Sequence, residues 1–307
     1  MTNRIDVHHH FFAQEYRDAM GANALRPEIR DWTVQRTKEE MDKNGVATAM
    51  LSLSPPGIHR VTPPETRKLA RAINEHAAKL RSERPDRFGH FASVPMPDVD
   101  GTLAEIAYAL DTLKADGIQL MTSYANHWPG EPRFDPVFDE LNRRKALVFI
   151  HPLEPDCCAG LIDWVPPVLA EFPQDTTRCV FSLLFSGTLA RCPDIRFIFC
   201  HAGGAVPVLA GRAAVTGLEK AFARHLPRGM DHELKKLHYD VALAGNRPAL
   251  AGLFNFVPVS QVLLGSDYPF GTSSDGIAGL EAYGLAPAEL DAIYRGNAQR
   301  LIPRLKA

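Results

Sequence analysis

The sequence predicts an α/β fold, a parallel (β/α)8 or TIM barrel. Three observations carry this. Eight short, nearly continuous apolar runs lie along the chain, as strands buried on both faces should read. Segments with apolar residues at helical spacing separate them, so strand and helix alternate eight times. No compositional shift or linker interrupts that order, so residues 1–307 read as one barrel domain.

The first candidate strand is 5–7, within IDVHHH. Helical spacing over 37–44 precedes the second strand, 47–53. A helix over 64–82 follows, with Leu69, Ala72, Ile73, Ala77 and Leu80 on one stripe. Strand 88–94 leads to a helix over 100–116, with Leu103, Ile106, Ala107, Leu110 and Leu113 repeating. Strand 117–121 precedes a helix over 135–143. Strand 147–150 is followed by a helix over 176–191, with Asp175 as its N-cap. Strand 195–200 and helix 205–225 come next, then strand 239–243 and helix 247–254. Strand 262–265 and helix 287–301 complete the order. The stretches 55–64, 124–136 and 154–174 carry Gly and Pro after strands. They are candidate active-site loops, because βα loops at the C-terminal face of a barrel build the site.

Composition bounds the function. Hydrophobic content of 45% and charged content of 23% are ordinary for a soluble enzyme. A net charge of −2 gives no argument for nucleic acid or an anionic membrane. No apolar run approaches the roughly 20 residues that span a bilayer, and IDVHHH opens the chain without signal-peptide character. The five cysteines are odd in number and irregularly spaced, which predicts a reduced, cytoplasmic setting. The adjacent Cys157 and Cys158 could be a ligand or redox pair, although free cysteine is usually a small buried hydrophobe. There is no Rossmann glycine fingerprint and no P-loop, so no nucleotide or flavin is implied.

Chemistry concentrates at strand ends. His8, His10, His151, His201 and Asp267 each stand at or just past the end of an apolar run. Side chains alternate along a strand, so His8 and His10 point one way and His9 another. The first and last strands are neighbours in a closed barrel, so the five residues ring one end. Imidazoles and a carboxylate suit a divalent transition metal. His76, His90, His225, His232 and His238 read as structural, while His59 and His127 fall on βα loops that could line the pocket.

IDVHHHFF, VFIHP, FIFCHAGGAVPVLAGR and LLGSDYPF resemble the four signatures of the amidohydrolase superfamily branch that contains aminocarboxymuconate-semialdehyde decarboxylase. The stretch DTTRCVFSLLFSGTLARCPDIRFIFCHAGG is similar to 6-methylsalicylate decarboxylase-like members. The resemblance runs from Ile5 to the C-terminus and implies an amidohydrolase-type barrel. It implies one divalent ion, Zn2+ first and Mn2+ second, held by His8, His10, His151 and Asp267. No lysine stands where a carbamylated bridging ligand belongs, which points to a mononuclear site. His201 matches the histidine that stands beside the metal and handles protons, and Arg212 matches a structural arginine. The arginines that clamp a second substrate carboxylate are not matched; Lys220 and Arg224 lie in the equivalent region. The resemblance thus favours a simple aromatic acid as substrate and a homodimer or homotetramer.

These roles suit non-oxidative decarboxylation of a 2-hydroxybenzoate-type acid. Losing CO2 from an aromatic carbon leaves an unstable carbanion unless that carbon is protonated first. A Lewis acid holding the carboxylate and ortho hydroxyl favours the phenolate, which pushes electron density to that carbon. Asp267 or His201 then supplies the proton. Phe11, Phe185 and Phe270 are candidates for apolar walls, with core packing the commoner use for Phe185. The same residues would serve metal-dependent hydrolysis of a lactone or amide, with His201 assisting a bound water. A non-catalytic metal-binding barrel is the weaker alternative, because binding alone needs no acid–base histidine beside the ligands.

Overall fold

Eight parallel strands pair strictly in chain order. They are β1 (Arg4–His10), β2 (Val46–Ser52), β3 (Phe88–Ser93), β4 (Gly117–Met121), β5 (Leu147–His151), β6 (Arg196–Phe199), β7 (His238–Asp240) and β8 (Val262–Leu263). The computed structural model describes residues 3–21, 25–58 and 64–306, so His59 lies outside the described residues. Hydrogen bonds between β1 and the segment after β8 close the sheet. Val7 N–H donates to the Leu264 carbonyl at 3.0 Å, Asp267 N–H to His8 at 2.9 Å and His10 N–H to Tyr268 at 2.8 Å. In β1 the register against β2 shifts between Asp6 and His9. Such an irregularity bends a strand and re-aims its side chains, and it falls here on His8.

The barrel interior buries Val7, Met50, Phe91, Phe149, Ile198 and Leu263, with Leu301 and Ile302 packed against them. The larger outer core lies between β3–β8 and the helices; Ile118, Phe138, Leu183, Phe197, Val241 and Leu253 belong to it. Helix Glu65–Glu83 buries Leu69, Ile73 and Ala77 of its predicted stripe and Ala70 beside them, while Ala72 and Leu80 are half-buried. Among the described residues, no helix is long and apolar enough to cross a membrane.

Several predicted boundaries are corrected. The helix expected over 176–191 starts at Glu171 and ends at Phe185. Pro173 is tolerated because the first-turn N–H groups have no helical partner to lose. Asp175 is therefore an interior helical residue and not an N-cap. Gly187, at φ 85°, breaks the remainder into Thr188–Arg191. Helix 205–225 splits likewise at Gly217 into Val206–Val215 and Leu218–Ala221. Helix 100–116 is α-helical over Val99–Ala107, capped by Asp98, and widens to a π-turn over Tyr108–Thr112. A second π-turn, Ala292–Gly296, interrupts 287–301. The strand expected over 239–243 stops at Asp240, and Leu243 takes a positive φ of 51°. The sequence reading missed helices Gln14–Met20, Pro27–Arg30, Met230–Lys235 and Ser273–Tyr283.

Candidate active site

The C-terminal ends of β1, β5 and β6 and the turn after β8 bring all five predicted residues together. His8 and His10 Nε2 lie 3.2 Å apart. Asp267 Oδ1 is 2.8 Å from His10 Nε2, 3.1 Å from His8 Nε2 and 3.7 Å from His151 Nε2. Asp267 Oδ2 faces His201 Nε2 at 3.4 Å. One ligand atom each from His8, His151, His201 and Asp267 lies within 4.8 Å of the others. His9 turns away as alternation predicts, donating from Nδ1 to Asp6 and stacking on Tyr268.

The far side of each imidazole is held. His8 Nδ1 donates to Asp240 Oδ2 at 2.9 Å, and His151 Nδ1 to the Pro152 carbonyl at 2.7 Å. His10 Nδ1 lies 3.3 Å from both the Ser52 carbonyl and its hydroxyl oxygen. These bonds leave each Nε2 as the free nitrogen and aim it at Asp267. Among the described residues, His151 Nε2 and His201 Nε2 are buried without a hydrogen-bond partner. Buried imidazole lone pairs converging on a carboxylate, two of them unpartnered, fit a divalent cation.

Electrostatics agree. Burial lowers the His10 imidazole and pushes His151 down to about 3, so both stay neutral as ligation requires. Burial opposes a charge on His8, but nearby Cys200, Asp240 and Asp267 outweigh it and hold His8 well above the usual imidazole range. The Asp267 carboxyl, although buried, is held well below its usual range by His8, by the His10 hydrogen bond and by the facing His151 and His201 rings. Two buried carboxylates, Asp240 and Asp267, thus flank His8 in a pocket that favours positive charge.

Asp240 is the residue that sequence reasoning missed. Its Oδ1 also accepts from the His201 and Ala242 backbone N–H groups, each at 3.0 Å. The signal was a lone acid inside an apolar run read as a strand. Asp175 is the second. It accepts from Thr122 Oγ1 at 2.5 Å, Ser123 Oγ at 2.9 Å and Trp128 Nε1 at 2.9 Å. Thr122 N–H in turn donates to the His151 carbonyl at 3.0 Å, so Asp175 steadies the end of β5.

Other expectations change. Phe11 packs on Trp32 and His76, away from the cluster. Phe12, Phe149 and Phe270 face the site instead: Phe12 and Phe270 lie 6.5 and 6.0 Å from the His10 ring, and Phe149 lies 5.2 Å from His8. Phe185 packs on Phe181 and Phe222. His127 pairs with Glu131 at 2.8 Å on the surface. Arg212, Lys220 and Arg224 are exposed and contact none of the five residues. Gly203 and Gly204, just after His201, make room for protein. A Cβ at Gly203 would meet the Tyr239 ring at 2.6 Å, and one at Gly204 the Pro173 carbonyl at 2.2 Å. His201 and Asp267 both hold left-handed backbone, φ 53° and 63°. Strain of this kind is kept where the surroundings over-determine a functional residue. A cavity of about 1330 Å3 opens elsewhere, lined by strand starts such as Arg4, Val46 and Ala47, and includes none of the site residues.

The amidohydrolase family profile matches residues 5–304. The chain belongs to the amidohydrolase family. Among its relatives, "Decarboxylase macB" of Penicillium terrestre is 36% identical over 324 residues, covering 99% of this chain and 96% of the relative. The 6-methylsalicylic acid decarboxylase of Penicillium expansum is 35% identical over 322 residues, covering 99% and 97%. The barrel is also similar, at a TM-score of 0.84 and 21% identity, to a dihydroxybenzoic acid decarboxylase from Polaromonas sp. JS666, with 100% of this chain and 98% of that one covered. That structure holds manganese and the inhibitor 2-nitroresorcinol.

Proposed function

We propose that this amidohydrolase-family chain is a metal-dependent, non-oxidative decarboxylase of an aromatic acid of the 2-hydroxybenzoate type. The observation that carries the reading is the convergence of four imidazole Nε2 atoms on one buried carboxylate at the barrel mouth. The fungal relatives named for decarboxylation, matched along 96% and 97% of their length, support the reaction class. His8, His10, His151 and Asp267 are the residues that would hold one divalent ion, zinc first with manganese as the alternative. Such an ion supplies a Lewis acid for the substrate's carboxylate and ortho hydroxyl.

The chain's own groups do the rest. Phe12, Phe149 and Phe270 give the ring an apolar surround. His201 Nε2 and Asp267 Oδ2 face each other at 3.4 Å, and one of the two delivers the proton to the carboxyl-bearing carbon. The proton replaces CO2 on that carbon, and aromaticity returns as the carbon–carbon bond breaks. The free cysteines support a cytoplasmic setting, and family resemblance supports a homodimer or homotetramer.

The test is a panel assay on the metal-loaded protein. Matched benzoates with and without an ortho hydroxyl are incubated, and CO2 and ring products are followed. A site built around a polar contact rejects the analogue lacking it by roughly 10⁴-fold or more. Turnover confined to the hydroxylated acids is expected. Equal turnover of both would end the chelate reading. Rapid lactone opening with no CO2 would make the chain a hydrolase.

A further inference from the structure

Cys157 and Cys158 take no part in the chemistry above. They close a short 3-10 turn, Asp156–Cys158, in the loop that leaves His151. Their Sγ atoms lie 3.1 Å apart. Cys157 is exposed and Cys158 half-buried, whereas Cys179, Cys192 and Cys200 are buried. Cys157 N–H donates to Asn126 Oδ1 at 2.7 Å, tying this turn to the loop after β4. Arg178 Nη2 stands 3.6 Å from Cys158 Sγ. Two thiols in contact, one open to solvent, beside a guanidinium, form a built dithiol.

We propose that Cys157 and Cys158 are a reversible redox site that closes to a disulfide between neighbours when a small peroxide or a glutathione-type disulfide reaches the loop. With a disulfide oxidant, the Cys157 thiolate attacks one sulfur and expels a thiolate. Cys158 then attacks the mixed disulfide at Cys157 and expels the second. Two protein thiols become one S–S bond, and one oxidant disulfide becomes two thiols. With hydrogen peroxide, Cys157 passes through a sulfenic acid and two waters leave. Exposure gives Cys157 the first attack. The Cys158 thiol is held up at about 11, first by its hydrogen bond to Cys157 and then by burial, so it waits as the resolving partner.

Geometry makes the bond reversible. Neighbouring Cα atoms are about 3.8 Å apart across a trans peptide, whereas relaxed disulfides span about 4.4–6.8 Å. The closed ring is strained, and strained exposed disulfides are the readily reduced ones.

The experiment treats the metal-loaded protein with glutathione disulfide, then with an alkylating reagent, and weighs the digested peptides. The fragment carrying both cysteines should lose two hydrogens and take up no alkyl group. Dithiothreitol should restore two alkylation sites, while Cys179, Cys192 and Cys200 stay unchanged throughout. The variant Cys158→Ser should trap glutathione on Cys157, because nothing resolves it. Wild-type protein that stays fully alkylatable, or that accumulates the glutathione adduct as its end product, would overturn the proposal. So would a Cys158→Ser variant that takes up no glutathione.

Discussion

Asp240 grips two site histidines at once: Oδ2 takes the His8 ring at 2.9 Å and Oδ1 takes the His201 backbone N–H at 3.0 Å. One carboxylate fixes the tautomer of the His8 imidazole and seats the turn that carries His201. Neither residue touches Asp240 in sequence; the link exists because β7 lies beside β6 and near the β8–β1 seam.

Replacing Asp240 with Asn keeps the shape and removes the charge that orients His8. Metal affinity should fall about 10–100-fold, the usual cost of losing such a partner. Competition against a chromogenic chelator measures this. Unchanged affinity in a folded variant would mean that His8 is aimed by packing alone.

His201→Ala should retain its metal and lose roughly 10²–10⁴-fold in turnover, the range for an acid–base group. Metal content and kcat measured on the same preparation separate the roles. Loss of metal together with activity would make His201 a ligand, a role its place among the clustered donor atoms also permits.

Chelation should abolish activity and lower the unfolding temperature, and re-addition of zinc or manganese should restore both. An ion at 100 times its Kd stabilises the fold by about 2.7 kcal/mol. Without it, Asp240 and Asp267 are left as buried carboxylates around His8, which carries compensating charge. Calorimetry showing no shift on re-addition would place the ion outside this cluster.

His90 offers a stability test away from the site. It is fully buried, and neither ring nitrogen has a partner. Burial pushes it down to about 4. The unfolded chain therefore binds this proton first, and the fold loses stability as pH drops from about 6.5 toward 4. His90→Leu should remove roughly 3 kcal/mol of that acid loss, at one pKa unit per 1.36 kcal/mol. Denaturant titrations at pH 7 and pH 4 compare the two proteins. An identical acid loss in both would refute the assignment.

The legible and illegible parts of this molecule differ for physical reasons. Barrel strands read clearly because burial on both faces makes them apolar throughout, and ligands at their ends stand out against that background. His9 was placed correctly by alternation. The same rule, carried two residues beyond His10, selects Phe12 rather than Phe11 as a wall of the site. Asp240 stayed hidden because a single acid in an apolar run resembles a strand terminus. The helix starting at Glu171 was begun at 176 because Asp175 reads as an N-cap, although the Pro173 before it costs a first turn no hydrogen bond.

The seam between the first strand and the turn after the last has a temporal consequence. His10 Nε2 and Asp267 Oδ1, 2.8 Å apart in space, are separated by 257 positions in sequence. A chain still emerging from the ribosome, or one cut short before Ser266, carries the histidines but lacks the carboxylate on which they converge. Such fragments hold an incomplete cluster. The full set of converging donors thus exists only once the circle has shut and the final strand is in place.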